Sequence, residues 1–221
     1  MKTIILVSLS LTFALFLLLT AGCKKSPTEL PNPPAKDTSM VVVREPNIYL
    51  YPKTSSTVSV KLLFPLGGAI IQSVPPYVNE WVVEVDSSGK INQQYNYLIY
   101  ESQTPDAYQY NFGWLLSRDT LSSFFRSNLF TIGFSEQEAA DFTSYWIPKL
   151  SDHSFYLVYP QFAGDIEKVI QLNVSPTPDN IIRLFYVIIG SENNEVQPIV
   201  PSLPKFNRNG FVVAEWGVVL K

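Results

Sequence analysis

The sequence predicts a mainly β fold: an antiparallel β-sandwich or open barrel of about nine or ten strands with a helical hairpin inserted near residues 119–147. Three observations predict it. Short apolar runs alternate with polar residues at period two, the pattern of strands with one wet face, because successive side chains point to opposite faces of a sheet. Turn-forming residues punctuate those runs at short intervals. One central stretch alone changes to helical spacing.

Taken in order, residues 47–52 make the first strand. Residues 57–62 place Val58, Val60 and Leu62 on one face and Thr57, Ser59 and Lys61 on the other. Residues 68–74 and 80–86 follow, and Asp86-Ser87-Ser88-Gly89 turns the chain into the next strand, residues 94–101. Leu121, Phe124, Phe125 and Leu129 then form a helical stripe that Gly133 ends. Ser135 and Glu138 have the spacing of a capping box, in which each side chain satisfies a free amide of the other's backbone. The second helix carries Phe142, Tyr145 and Trp146 and stops at Pro148. Strands return at residues 154–160, 170–174, 181–189 and 211–219. Residues 191–209, with Pro198, Pro201 and Pro204, read as a strap across a sheet edge rather than a binding loop.

The front of the chain is different. Lys2 precedes a nearly unbroken apolar run over residues 4–19, too short for the ~20 residues of a spanning helix. Leu19-Thr20-Ala21-Gly22-Cys23 closes it, and Lys24-Lys25 follow. This resembles the lipobox of a bacterial lipoprotein signal peptide, with Thr20 where leucine is commonest. The resemblance implies that residues 1–22 are a signal peptide, that Cys23 is the acylated first residue of the mature protein, and that palmitate-type chains hold it to the cell envelope. Lys24 is not the aspartate linked to inner-membrane retention, so the outer membrane is favoured where the cell has one. Residues 23–40 form a tether in which Pro27, Pro31, Pro33 and Pro34 enforce extended backbone, reaching about 50 Å. Residues 41–221 are a single β-rich domain.

Composition excludes several classes. The net charge is −3, with no basic stripe, so no nucleic acid is expected. The single cysteine, Cys23, is consumed by the lipid, leaving neither a disulfide nor a thiol nucleophile. His153 is the only histidine, so no histidine-based zinc site forms in one protomer, and no cofactor is expected. The closest run to a G-x-S-x-G elbow, Gly133-Phe134-Ser135-Glu136-Gln137, lacks the last glycine. His153, in Ser151-Asp152-His153-Ser154, reads as a solvated loop residue.

The domain opens with Glu45-Pro46-Asn47-Ile48-Tyr49-Leu50-Tyr51-Pro52, continues with Tyr97-Leu98-Ile99-Tyr100-Glu101, Tyr145-Trp146-Ile147-Pro148-Lys149 and Pro178-Asp179 before Arg183, and ends with Arg208-Asn209-Gly210-Phe211-Val212-Val213-Ala214-Glu215-Trp216-Gly217. In that order these segments resemble an uncharacterised family of secreted or lipid-anchored bacterial proteins whose signature is K-P-V-I-Y-L-Y-P, then Y-W-(L/I)-P, then E-W-G-G. The chain departs at Glu45, Asn47 and Val218. The resemblance implies a shared β-rich exported fold and carries no activity and no site residue.

Glu101 and Glu215 are the weak catalytic candidates, since each adjoins an aromatic in an apolar strand. Were their strands neighbours, two facing carboxylates would suit glycoside hydrolysis. Arg183, within Ile181-Ile182-Arg183-Leu184-Phe185-Tyr186, needs a carboxylate partner if it points inward, and either glutamate would serve as a structural ion pair. Tyr49, Tyr51, Tyr95, Tyr97, Tyr100, Trp114, Trp146, Tyr159 and Trp216 supply core bulk, or a sugar platform if two or three stand exposed in a row. The expectation is a cell-envelope lipoprotein whose domain is a non-catalytic binding or structural module. The alternatives are a glycan-directed hydrolase using Glu101 and Glu215, and an accessory subunit that docks an envelope complex through its helical hairpin. The expected partners are the membrane, through the lipid on Cys23, and a glycan or an envelope protein.

Overall fold

The computed structural model describes residues 39–221; the expected signal peptide, Cys23 and all but the last two residues of the expected tether lie outside the described residues. Strands β1 (Met40–Tyr51), β2 (Ser56–Leu63), β3 (Ala69–Val74), β4 (Trp81–Val85), β5 (Leu98–Pro105) and β6 (Trp114–Ser117) precede helices α1 (Leu121–Ile132) and α2 (Glu136–Trp146). Then come β7 (Phe155–Phe162), α3 (Ala163–Val169), β8 (Gln171–Ser175), β9 (Asn180–Ser191) and β10 (Val212–Leu220).

The strands form a seven-stranded sheet, β3-β5-β1-β10-β9-β7-β6, and a three-stranded sheet, β4-β2-β8. The architecture is therefore a sandwich, and no closed barrel forms, because β3 and β6 end the larger sheet. That sheet is mixed where antiparallel pairing throughout was expected: β9 and β10 run parallel from Asn180↔Val212 to Ile188↔Leu220. Parallel neighbours need a long connection, and the proline-rich segment between β9 and β10 supplies it.

Two cores flank the large sheet. On one face, Val58, Val60, Trp81, Val83 and Leu172 of the small sheet pack against Ile48, Leu50, Leu98, Phe185, Val187 and Val213. On the other, Leu121, Phe125, Leu129, Phe142 and Trp146 of the helical hairpin pack against Tyr49, Ile182, Leu184, Tyr186, Ala214 and Trp216. β9 and β10 alternate between the two cores, so residues 182–188 and 212–219 are all buried. This explains why these two strands read as apolar runs broken only by Arg183 and Glu215 between Ile181 and Ile189 and between Val212 and Leu220, while β2 and β4 alternate.

The hairpin is pinned by charge as well as packing. Glu138 N donates to Ser135 Oγ at 3.2 Å and Ser135 N to Glu138 Oε2 at 2.7 Å, completing the capping box. Glu138 is fully buried, and Arg208 donates to both its oxygens, at 2.9 and 3.0 Å, and to the Gly133 carbonyl at 3.2 Å. The strap thus ends on the hairpin. Upstream, Gly113 N donates to Ile199 O at 2.9 Å beside β6, and Phe206 N donates to Ile132 O at 2.9 Å at the end of α1.

A bulge interrupts β1 between Arg44 and Asn47, where Glu45 takes φ 50 and Pro46 has no amide to offer the ladder. It brings Glu45 Oε1 to 2.7 Å from the donating Tyr145 hydroxyl of α2. Arg208→Ala leaves the buried Glu138 carboxylate unpaired, so a loss of roughly 3 kcal/mol is expected in urea unfolding. An unchanged unfolding midpoint would contradict the role given to this contact.

Candidate functional site

Arg183 of β9 and Glu215 of β10 are direct register partners facing the core between the sheets. Arg183 is 1% exposed and Glu215 fully buried. Arg183 Nε donates to Glu215 Oε2 at 2.5 Å, and the Tyr100 hydroxyl donates to Glu215 Oε1 at 2.7 Å. Arg183 Nη1 donates to the Ile170 carbonyl at 2.9 Å and to Glu167 Oε1, while Nη2 finds no acceptor among the described residues. Burial alone would lower the arginine's pKa, but Glu215, Tyr100 and Glu167 outweigh it and hold Arg183 above its ordinary value. Both Glu215 oxygens are engaged, so the arrangement is a closed structural cluster.

Glu101 lies elsewhere. It follows Tyr100 in β5 and so takes the opposite face of the sheet, and β1 separates β5 from β10. Its nearest charged partner is Arg44, at 3.9 Å. The facing pair of carboxylates that the hydrolase alternative requires is not formed, because strand order, invisible in the sequence, places β1 between them. His153 sits in a loop with Nδ1 2.6 Å from Glu192 Oε1 and its ring against Gly190, where a Cβ would come within 2.0 Å. Of the nine aromatics singled out, Tyr49, Tyr100, Trp146, Tyr159 and Trp216 are buried and the other four are half-buried; none stands exposed. Among the described residues no three His, Cys, Asp or Glu side chains are placed to hold a metal.

A polar cleft of about 280 Å³ lies where the end of β1 meets the hairpin. Tyr49 and Tyr51 line it from β1, Ser88, Gly89, Lys90 and Asn96 from the β4–β5 connection, and Gln137 and Asp141 from α2. Each wall is fixed locally. Asp86 Oδ1 accepts from Ser88 N at 2.8 Å and Lys90 N at 3.0 Å, setting the turn. Gly89, at φ 90, lies flat on the Tyr51 ring, where a Cβ would come within 2.8 Å. Asp141 Oδ2 accepts from the Tyr49 hydroxyl at 3.0 Å and Oδ1 from Gln137 Nε2 at 2.8 Å. Lys90 Nζ donates to Asn96 Oδ1 at 3.0 Å. In the sequence the tyrosines and the turn stand out; Lys90, Asn96, Gln137 and Asp141 carry no local signal and meet only because the hairpin lies over β1.

Two other concavities are apolar. One, about 510 Å³, lies on the hairpin between Arg126, Phe130 and Glu136, with Phe130 69% exposed and the Arg126–Glu136 ion pair, 2.5 Å, spanning it. The second, about 300 Å³, lies beside the strap between Phe112, Pro160, Phe162 and Pro201. No helix among the described residues is long and apolar enough to cross a membrane. No protein-family model, curated protein or solved structure matches this chain.

Glu215→Ala leaves Arg183 buried with only the partly exposed Glu167 as a countercharge, so a loss of roughly 3 kcal/mol is expected in denaturant unfolding. The apolar triple variant Arg183→Met, Glu215→Leu, Tyr100→Phe is expected to recover more than half of it, and a triple variant no better than Glu215→Ala would contradict this account. Burial also holds the hydroxyls of Tyr49, Tyr100, Tyr108 and Tyr186 protonated well above the tyrosine range, aided by Asp141 at Tyr49 and by Glu215 at Tyr100. The unfolded chain releases these protons near pH ~10 and the folded chain does not. Stability is therefore full below about pH 10 and falls above it, by about 1.4 kcal/mol per pH unit for each tyrosine. Tyrosinate absorbance from these residues should rise in one step with the loss of circular dichroism. A gradual rise with the fold intact would contradict it.

Proposed function

We propose that this chain is an exported lipoprotein, held to the bacterial cell envelope through an acylated Cys23, whose β-rich domain is a non-catalytic binding module. One observation carries the non-catalytic reading: Glu215 spends both oxygens on Arg183 and Tyr100, and Glu101 faces the other side of the sheet. The carboxylates with the best claim to acid–base work are thus a buried structural element and one half of an ion pair with Arg44 on the sheet's other face. The polar cleft supports binding, being concave, built on rigid elements and lined by side chains with unused hydrogen-bonding capacity.

The address rests on Leu19-Thr20-Ala21-Gly22-Cys23 and on the proline-rich residues after it. Acyl chains on Cys23 give stable attachment where one alone would not, and the outer membrane is the favoured site where the cell has one. The docking alternative is less well supported. Within the hairpin Phe130 is the one exposed large hydrophobic residue, and a single such side chain is ordinary surface.

Metabolic labelling with a palmitate analogue in a bacterial host should mark the wild-type chain, which should fractionate with membranes. Cys23→Ala should abolish the label and block cleavage after Gly22. Label that persists in Cys23→Ala, or a wild-type chain that takes none, would overturn the assignment.

A further inference from the structure

Resting on the reading of an envelope-tethered binding module, we propose that the cleft between β1, the β4–β5 connection and α2 binds an uncharged saccharide unit of an envelope or surrounding glycan. The argument starts from the donors and acceptors that converge there. Asp141 accepts two hydrogen bonds, from Tyr49 and Gln137, and a carboxylate offers about four acceptor sites. Lys90 commits one of three ammonium protons to Asn96. Spare acceptors on Asp141 and spare donors on Lys90 therefore line one small volume. A ligand that both gives and takes hydrogen bonds at closely spaced atoms satisfies them, and the vicinal hydroxyls of a sugar do both.

Other ligand classes fit less well. One carboxylate beside one ammonium favours neither a free anion nor a metal cation, because each would meet a like charge. An apolar ligand would desolvate Lys90, Asp141 and the amides with nothing to replace their water. The volume, about 280 Å³, lies at the small end for ligand pockets and suits one or two sugar rings.

Position supports the same conclusion. The tether joins the domain at the Met40 end of β1, whereas the cleft lies at its Tyr51 end. At ~3.3 Å per residue the strand separates the two by about 35 Å. The cleft thus stands clear of the residue at which the tether joins the strand.

The full-length chain in detergent, titrated calorimetrically with maltotriose, cellotriose, mannotriose and chitotriose, should bind at least one of them. Asp141→Asn and Gln137→Ala should each weaken that binding by about tenfold or more, a loss of ~1.4 kcal/mol. Phe130→Ser, on the hairpin's separate groove, should leave it unchanged. Gln137 is exposed, so Gln137→Ala keeps the test decisive even if Asp141→Asn does not fold. No binding by any of the four, binding only by glucosamine or glucuronate run alongside, or binding indifferent to Gln137→Ala would overturn the assignment. Saccharide binding by a chain that takes no lipid would leave the cleft standing and remove only its envelope address.

Discussion

A parallel pair of strands that is apolar on both sides is stable only if water is kept from both of its faces. β9 and β10 are such a pair, buried from Ile182 to Ile188 and from Val212 to Val219. The other layers follow from that requirement. The small sheet β4-β2-β8 covers one face, the α1–α2 hairpin covers the other, and the proline-rich crossover lets the two strands run parallel. The crossover ends at Arg208, whose bidentate contact with Glu138 ties it back to the hairpin it has just passed. That contact fastens the connection to the cover.

The one pair of opposite charges within this apolar frame, Arg183 with Glu215, lies on the face turned to the small sheet. A buried ion pair of this kind adds little net stability over well-packed apolar residues, but breaking it on one side is costly. Its effect here is to hold two adjacent strands in register, since a one-residue slip would part Glu215 from Arg183 and leave that carboxylate buried without its countercharge. Tyr100 of β5 reaches across β1 to the same carboxylate, so one cluster joins three strands. The polar cleft is built on the periphery of this frame. Tyr49 belongs to the helix-side core yet donates to Asp141 at the cleft wall, so the position of the binding groups follows from the packing beneath them.

Much of this fold was legible in the sequence. Period-two alternation located β2, β4 and β8, and the stripe through Leu121 and Phe125 with the Ser135–Glu138 capping box located the hairpin. β6 has only four residues, all half-buried, so it has no alternation to read, and α3 has seven, too few for a helical stripe. The parallel pairing of β9 with β10 is a property of strand order, which residue patterns do not encode. The same gap separates the two glutamates: their local contexts are alike, but Glu101 and Glu215 occupy opposite faces of the sheet. Of the cleft, only the tyrosines and the turn at Asp86–Gly89 carried a signal. Lys90, Asn96, Gln137 and Asp141 are ordinary surface residues until the hairpin is laid on β1.

Native-state hydrogen exchange tests the central claim, that double burial of β9 and β10 organises the molecule, most directly. Amides over residues 182–188 and 212–219 should exchange only through global unfolding, with the highest opening free energy in the chain, and the edge strands β3 and β6 should open at lower cost. Exchange from β9 or β10 through a smaller opening than that of the β4-β2-β8 sheet would contradict the account.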